Sequence, residues 1–360
     1  MFNKSFFMAL ALAFSATGVN AAFYDDLAYH HAPIHYQDTD SSNYPAEYIT
    51  AIDYDSDWVS TNNWDNLGTG NLSAKVYFSV TESCSHYFIT YGFFHPRDWT
   101  DTPFDQEHEN DMEGALFVVR KNGSTYGALE GVMTVFHKDF FAFVPAGSPL
   151  VNGSETIDGS VTFTNFDGSN RARLAQEAKG HGLKAWPYIG NFTGETNQDG
   201  IIYYPSRTIS EVPSSGNDRS VYYTLVNMTK ANGLWSRALL EAPVASASAQ
   251  TFNSWGTFKG DTGGGCGAGL PTCGSNSANT PWGWDDQNDG NNYRGAMALD
   301  PISLTDYYFN GLGVFSNKYI NNQFLKDLQT AGYSSNNLPA GFATEMNLSQ
   351  LYTKLGTSCP

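Results

Sequence analysis

The sequence predicts an all-β protein, with a β-sandwich core, long loops and a small C-terminal lobe that carries short helices. Three observations lead to this prediction. Short segments alternate apolar and polar side chains, or are continuously apolar and aromatic, over lengths typical of strands. Turn residues separate these segments at irregular distances, as expected for a sandwich with insertions. Aromatic residues, which favour strands, are abundant, with 24 Phe, 21 Tyr and 8 Trp.

Residues 1–21 predict an export signal. Lys4 supplies the positive charge, residues 6–14 form a short apolar run, and Val19-Asn20-Ala21 has the small residues that precede a cleavage site. The apolar run is too short to span a bilayer, and no later segment reaches that length. We therefore expect a secreted protein, extracellular or periplasmic, without a transmembrane segment.

The remaining chain is predicted to form three parts. Residues 22–49 are rich in Tyr and Asp and are expected to form an extended N-terminal wrap. Residues 50–245 form the predicted sandwich core, and residues 246–360 a Gly- and Cys-rich lobe packed on it, with amphipathic helices over 321–330 and 347–355. Two independent domains are the alternative. The predicted strands cover 75–80, 86–94, 113–120, 131–137, 140–144, 159–166, 201–204 and 221–226, and the segment 171–179 suits a helix or a strand.

The acidic composition limits the partners. Thirty-six Asp and Glu residues stand against nineteen Lys and Arg residues, which gives a formal net charge of −17. This charge argues against binding to nucleic acid and against simple attraction to anionic lipid. It is compatible with solubility, with a saline habitat and with cation binding.

Four cysteines fit an oxidising compartment. Cys266 and Cys273 lie in one Gly-rich segment and are expected to pair. Cys84 and Cys359 would then tie the C-terminus to the sheet. Three pairings are open on the sequence alone. The spacing is not a zinc pattern, because no second close pair of Cys or His accompanies it.

The chemistry concentrates in an acidic stretch, residues 105–113, which runs into the apolar segment 115–119. Asp111 and Glu113 are two positions apart, so they share one face of a strand that begins there. His108 has the other parity and is expected to reach the same point from the preceding loop. Carboxylates with one imidazole suit a hard divalent cation, Ca²⁺ or Mg²⁺ first and Mn²⁺ as a further candidate. A solvated acidic turn is the alternative.

Three further histidines, His95, His137 and His181, occupy similar strand-end positions. Each one alone is more often a structural residue than a ligand, but together they favour a shared site. Gly180 and Gly182 flank His181, so the backbone there can take angles closed to other residues and approach a ligand closely. A plain tight turn is the other interpretation of these glycines.

A second acidic stretch begins at Asp285 and resembles an Asp-rich calcium loop. Its spacing departs from an EF-hand, because position 12 counted from Asp285 is Ala296, where that loop requires a bidentate Glu. A second cation site and a structural turn are both open for this segment.

The pattern formed by His108, Asp111 and Glu113 before an apolar strand resembles the signature of the necrosis-and-ethylene-inducing-like proteins. Those are secreted β-sandwich cytolysins that hold a divalent cation at one end, and their heptapeptide is Gly-His-Arg-His-Asp-Trp-Glu. The match is confined to this short stretch. The chain departs from the heptapeptide at Glu107, Glu109, Asn110 and Met112.

The resemblance implies further site residues. An upstream Asp completes the cation shell in the family, and Asp101 is the candidate here, with Asp98 and Asp105 as rivals. His95, Asp98 and Asp105 could also form an additional site. A later His lies near the family's cavity, and His181 matches it.

Three functions are compatible with these residues. The first is a secreted divalent-cation-binding protein like the necrosis-inducing-like cytolysins, whose metal-organised cavity docks a glycan or glycolipid headgroup. The second is a secreted metal-dependent hydrolase or lyase that acts on an extracellular polymer, with His181 or His137 as the catalytic base. The third is a calcium-stabilised structural envelope protein. The sequence contains no Gly-x-Ser-x-Gly, His-Glu-x-x-His or phosphate-binding loop, so it names no reaction.

Overall fold

Strands dominate the structure, and its helices are short, which confirms the prediction of an all-β protein. The computed structural model describes residues 21–39, 44–98, 108–187, 200–242, 248–260, 276–287, 293–356 and 359. The strands are β1 Ile34–Gln37, β2 Lys75–Ser83, β3 His86–Asp98, β4 His108–Arg120, β5 Ala128–Phe136, β6 Asp139–Pro145, β7 Val151–Asn152, β8 Ile157–Val161, β9 Phe163–Phe166, β10 Ser169–Gln176, β11 Leu183–Ala185, β12 Ile201–Ser206, β13 Val221–Asn227, β14 Phe252–Ser254, β15 Thr257–Lys259, β16 Asn276–Asn279, β17 Phe309–Asn310 and β18 Tyr319–Asn321. The helices are α1 (residues 21–31), α2 Leu234–Glu241, α3 Ala296–Leu299, α4 Pro301–Tyr308, α5 Gln323–Thr330 and α6 Leu348–Tyr352.

One large mixed sheet of 13 strands forms the body of the molecule. Its order is β11-β10-β1-β12-β13-β2-β3-β4-β5-β6-β8, with β9 paired to β10 and β18 to β2. Strand β11, at one end, also lies against β5 and β8 near the other end. The sheet therefore curls until it is nearly closed, and the predicted two-layer sandwich is not confirmed.

Strands β3 and β4 form the longest antiparallel pair of this sheet. Their register runs from His86 opposite Arg120 to Asp98 opposite His108. Large apolar side chains such as Phe93 and Phe117 are fully buried along the pair, and such burial is the main stabilising term of a core. The pairing carries both strands past their apolar segments, so residues 108–113 of the acidic stretch form the first part of β4.

The N-terminal part of the described chain enters the middle of the sheet. Helix α1 is followed by β1, which lies parallel to β10 on one side and antiparallel to β12 on the other. Residues 22–49, expected to form an extended wrap, thus contribute a helix and an internal strand.

The C-terminal part packs on the large sheet. Strand β18 pairs with β2 and β17 with β7, and a disulfide joins Cys84 to Cys359, as expected for the C-terminal cysteine. Cys266 and Cys273 lie outside the described residues. Helices α5 and α6 confirm the two predicted helices, and an Asn side chain caps the first turn of each.

In the described part of the chain, no helix is long and apolar enough to span a membrane. Almost all of the predicted export signal, residues 1–20, lies outside the described residues.

Candidate functional site

The acidic motif lines a cavity of about 490 Å³ at the start of β4. Asp111 and Glu113 both line it, as their shared parity predicts. His108 lines it as well, but as the first residue of β4 rather than from a loop. The prediction that His108 must come from the preceding loop is therefore wrong.

Asn110 explains how His108 and Asp111 reach one cavity despite their opposite parity. Its φ is 63°, in the left-handed region, which interrupts the regular alternation of the strand. Its buried side chain donates to the carbonyls of Ser60 and Lys259, both at 2.7 Å, and accepts from Asn63 at 2.5 Å. These three hydrogen bonds hold the unusual backbone in place.

His181 joins two carboxylates at the base of the site. Its Nδ1 donates to Asp111 Oδ2 at 2.8 Å and its Nε2 to Glu47 Oε2 at 3.0 Å, and the imidazole is fully buried. Burial alone would lower the pKa of His181, but the hydrogen bonds and charges of Asp111 and Glu47 raise it to about 10. His181 is therefore an imidazolium at neutral pH.

The same ion pair fixes the charge of Asp111. Burial favours the protonated acid, but the hydrogen bond and charge of His181 lower the pKa of Asp111 below its ordinary value. Asp111 Oδ1 also accepts from the backbone N–H of Met112 at 2.8 Å. Asp111 is thus a fixed carboxylate at the edge of the cavity.

His95 lies in the interior beside His181 and does not line the cavity. The two rings stack with centroids 3.8 Å apart and an interplanar angle of 3°. Burial and the charge of His181 hold the pKa of His95 well below its usual value, so the ring is neutral. His95 Nε2 lies 3.0 Å from Gln176 Oε1, and Gln176 Nε2 donates to the His181 carbonyl. The stacked His95 ring thus packs against the buried His181 imidazolium and fixes its orientation.

The glycines beside His181 serve close packing rather than unusual backbone angles. Positive φ is found at His181 and Lys179, and not at Gly180 or Gly182. A Cβ on Gly180 would come within 2.6 Å of the His137 ring, and one on Gly182 within 2.4 Å of a neighbouring Phe ring. The expectation about these glycines is corrected accordingly: they let the His181 turn approach the β5–β6 turn.

His137 occupies the β5–β6 turn at the mouth of the cavity, with φ 58° and a half-exposed side chain. Its backbone N–H donates to Glu113 Oε1 at 2.7 Å. Its Nε2 lies 2.9 Å from Glu177 Oε1. His137 thus connects a buried carboxylate of the motif with a more exposed one.

Glu113 is a buried carboxylate with one oxygen that the described residues leave without a hydrogen bond. It is 5% exposed, and the oxygen without a partner among these residues is Oε2. Burial, followed by the charges of Asp111, Glu177 and Asp98, raises the pKa of Glu113 well above its ordinary value. A buried carboxylate with a free oxygen beside other acids is stabilised by a cation or by a proton.

Asp98 lines the cavity opposite the start of β4. Its Oδ2 lies 3.4 Å from His108 Nε2, and burial lowers the pKa of His108, which favours the neutral imidazole that metals bind. Asp98, one of the three upstream acids considered, thus lines the same cavity as the motif. Its rivals, Asp101 and Asp105, lie outside the described residues.

The far wall of the cavity comes from the C-terminal part of the chain. Trp284, Asp285, Gln287 and Arg294 line it, together with Lys138 of the β5–β6 turn. Asp285 belongs to the second acidic stretch noted in the sequence. That stretch therefore meets the first one across a single cavity.

The chemistry of the donors fits a hard divalent cation. Glu113 offers a free buried oxygen, and each oxygen of Asp111 has lone pairs beyond the hydrogen bonds it accepts. His108 adds a neutral imidazole. Among the described residues, no three His, Cys, Asp or Glu side chains already converge at metal–ligand spacing. The carboxylates surround the cavity instead.

Two residues of the site were not anticipated from the sequence. Glu47 accepts hydrogen bonds from His181 and from the Lys179 backbone N–H, yet it stands in an unremarkable Pro-Ala-Glu-Tyr segment. Glu177 falls in the segment whose secondary structure was ambiguous. Glu47 ends the 3-10 helix Tyr44–Glu47, which packs against β3, and Glu177 lies in the turn after β10, so tertiary packing brings both acids to the histidines.

No protein-family model matches the sequence, and no curated protein matches it. Solved structures resemble parts of the chain. One described as "Toxin fold for microbial attack and plant defense" is 14% identical and covers 46% of this chain and 70% of its own, with a TM-score of 0.29. NLPPya in complex with mannosamine is 16% identical and covers 32% of this chain and 46% of its own, with a TM-score of 0.22.

A third similar structure is Necrosis and Ethylene inducing Protein 2 from the causal agent of cocoa's Witches Broom disease. It is 13% identical and covers 42% of this chain and 50% of its own, with a TM-score of 0.22. Similarity at these TM-scores supports no functional conclusion. Structures of necrosis-and-ethylene-inducing proteins are nonetheless among those that parts of this chain resemble.

Proposed function

We propose that this chain is a secreted divalent-cation-binding protein, similar in kind to the necrosis-inducing-like cytolysins, that docks a polar headgroup of a glycan or glycolipid. The cavity beside β4 is the proposed binding site. It is half open, it is lined mainly by polar side chains, and it is large enough for a sugar ring.

One observation carries this proposal: the free buried oxygen of Glu113. Its neighbours Asp111, Asp98 and Glu177 are acids whose charges raise its pKa. A divalent cation would satisfy the oxygen and relieve this repulsion. Ca²⁺ and Mg²⁺ are the first candidates, and Mn²⁺ is a further one, because the donors are mainly carboxylate oxygens.

Glu113, Asp111 and His108 would hold the cation, with Asp98 as the additional acid. The bound cation would attract hydroxyl or other oxygen atoms of the headgroup. His181 and Glu47 keep Asp111 ionised and oriented.

The proposal is tested on the purified exported protein by elemental analysis and by calorimetric titration with Ca²⁺, Mg²⁺ and Mn²⁺. Wild type is expected to bind one of these ions, and its melting temperature is expected to fall when a chelator is added. A cation at 100 times its Kd stabilises a fold by about 2.7 kcal/mol. Glu113→Gln should abolish both effects, whereas Asp306→Asn, at an exposed acid of α4, should retain them. Equal melting curves with and without chelator for wild type would refute the cation site.

A second candidate function, metal-assisted cleavage of an extracellular polymer, is favoured by the His137–Glu177 pair. His137 is half exposed at the cavity, and its Nε2 lies 2.9 Å from Glu177 Oε1, a distance at which a carboxylate can orient a general base. His181 does not suit that role, because it is a buried imidazolium with both ring nitrogens engaged. In this case His137→Gln should abolish polymer cleavage and leave cation binding unchanged. Product formation from a polysaccharide panel, measured with and without chelator, separates the two functions.

A further inference from the structure

The C-terminal wall of the cavity is tied firmly to the strands that carry the acidic motif. Trp284 Nε1 donates to the Met112 carbonyl at 2.8 Å, and the Gln287 backbone N–H donates to the Lys138 carbonyl at 2.9 Å. Gly114 makes room for this contact, because a Cβ there would lie 2.5 Å from the Trp284 ring. The wall is therefore held at two points beside Glu113 and His137.

Asp285 is the second buried carboxylate of this cavity with a free oxygen. It is 7% exposed, its Oδ2 accepts from Gln287 Nε2 at 2.5 Å, and its Oδ1 has no hydrogen-bond partner in the part of the chain that the structure describes. A buried carboxylate oxygen left without a donor is costly to the fold. Asp285 lines the cavity, so this oxygen belongs to the wall that a bound ligand would contact.

We propose that Asp285 and Gln287 form a second recognition point, which binds hydroxyl groups of a sugar whose other end meets the cation side of the cavity. This inference rests on the proposed function and names the ligand class of the same site. Asp285 accepts from a sugar hydroxyl, and the Gln287 amide keeps the carboxylate plane fixed.

The surroundings of Asp285 favour a hydroxyl donor over a second cation. Lys138 and Arg294 line the same wall, and their positive charges oppose binding of another metal ion there. Carboxylate, amide, guanidinium and ammonium groups together offer both acceptors and donors to neighbouring hydroxyls of one ring. A neutral or amino sugar therefore suits this wall.

The test measures cation and sugar binding separately in wild type, Asp285→Asn and Asp286→Asn. The neighbouring Asp286 is also buried, but it bonds to the Tyr308 hydroxyl and does not line the cavity, so it is the matched control. The probes are Ca²⁺ by calorimetry, and methyl mannoside and glucosamine by saturation-transfer NMR. Asp285→Asn is expected to weaken sugar binding about tenfold or more and to leave Ca²⁺ affinity unchanged. Asp286→Asn should retain both.

A further variant guards against misfolding of Asp285→Asn. Gln287 is exposed, so Gln287→Ala should fold normally and still weaken sugar binding several-fold. The inference is overturned if Asp285→Asn lowers Ca²⁺ affinity as strongly as sugar affinity, because Asp285 would then be a cation ligand. It is also overturned if wild type binds neither sugar, or if both wall variants bind sugar as wild type does. If wild type binds none of Ca²⁺, Mg²⁺ and Mn²⁺, the proposed cation site is refuted instead.

Discussion

His181 is the residue on which the geometry of the site depends most, because it forms buried ion pairs with Asp111 and Glu47. Removing the imidazolium would leave Asp111 and Glu47 buried without their common donor. Breaking one partner of a buried ion pair costs more than the pair contributes, because an uncompensated charge stays inside.

We expect His181→Ala to lower the free energy of unfolding by about 3–5 kcal/mol. Urea denaturation followed by circular dichroism measures this. The double variant Glu47→Gln/His181→Gln removes the imidazolium together with one of its two carboxylates. It should therefore lower the free energy of unfolding less than the single change. A single variant as stable as wild type would show that the ion pair does not hold the site together.

Buried neutral histidines, among them His31, His35 and His86, make the fold sensitive to acid. Burial lowers the pKa of His31 to about 4, of His35 to about 3 and of His86 to about 4. In the unfolded chain each would take up a proton near pH 6.5. Their stabilising contribution is therefore complete above pH 6.5 and is lost as the pH falls toward the folded values.

We expect stability to fall by about 1.4 kcal/mol per pH unit for each of these histidines between roughly pH 6 and 4.5. Urea unfolding at several pH values gives the slope. His31→Gln removes one proton from the linkage and should reduce the slope by about 1.4 kcal/mol per pH unit. A slope identical to wild type would mean that His31 is not protonated on unfolding in this range.

At the level of elements, the left-handed Asn110 in β4 shapes the motif. We expect Asn110→Ala to cost about 3 kcal/mol or more, because buried groups at Ser60, Lys259 and Asn63 lose their partner. Asn110→Gly loses the same hydrogen bonds but accepts positive φ freely, so it should be about 1 kcal/mol more stable than the Ala variant. Chemical denaturation compares the two, and a more stable Ala variant would contradict the backbone argument.

Most core strands could be predicted because their signal is local. Strands β2, β3, β5 and β6 have long apolar or alternating runs ended by turns, and they were predicted within a few residues. Strand β1 was not predicted, since Ile34–Gln37 is short and contains polar residues whose burial depends on two distant partners. Helix α2 was missed for a similar reason: its Gly233 N-cap makes no side-chain capping bond that a sequence could signal.

The positions of site residues could be predicted where sequence spacing alone determines which face of a strand a side chain occupies. The shared face of Asp111 and Glu113 follows from strand parity, whereas the position of His108 depends on the φ of Asn110, which the sequence does not reveal. The closeness of His181 and Asp111 was expected from their strand-end positions. The hydrogen bond between Glu47 and His181 was not expected, because only tertiary packing brings Glu47 to the site.

On the scale of the whole molecule, the Cys84–Cys359 disulfide joins residues 275 positions apart. Closing so long a loop reduces the entropy of the unfolded chain, and loss of a native disulfide typically costs about 2–5 kcal/mol. We expect the free energy of unfolding of the Cys84→Ser/Cys359→Ser protein to be lower by this amount, with a urea midpoint at lower concentration. Thiol titration of the native wild type should find no reactive groups, and four reactive thiols would contradict the pairing.

The curled sheet could not be distinguished from a sandwich by sequence, because alternation places one face of each strand inward in both arrangements. What differs is which strands become neighbours, such as β1 with β10 and β12. Those pairings join residues far apart in the chain and leave no local pattern.

The internal place of β1 also determines the order in which the chain can assemble. Strands β2 to β6 are consecutive and antiparallel, so their contacts can form as soon as that stretch is available. His35, however, pairs with Leu174 and with Tyr203, which appear much later. Distant pairings of this kind slow folding. Full pairing of the N-terminal strand therefore needs β10 and β12, and we expect it to join the sheet after the consecutive strands β2 to β6 have paired.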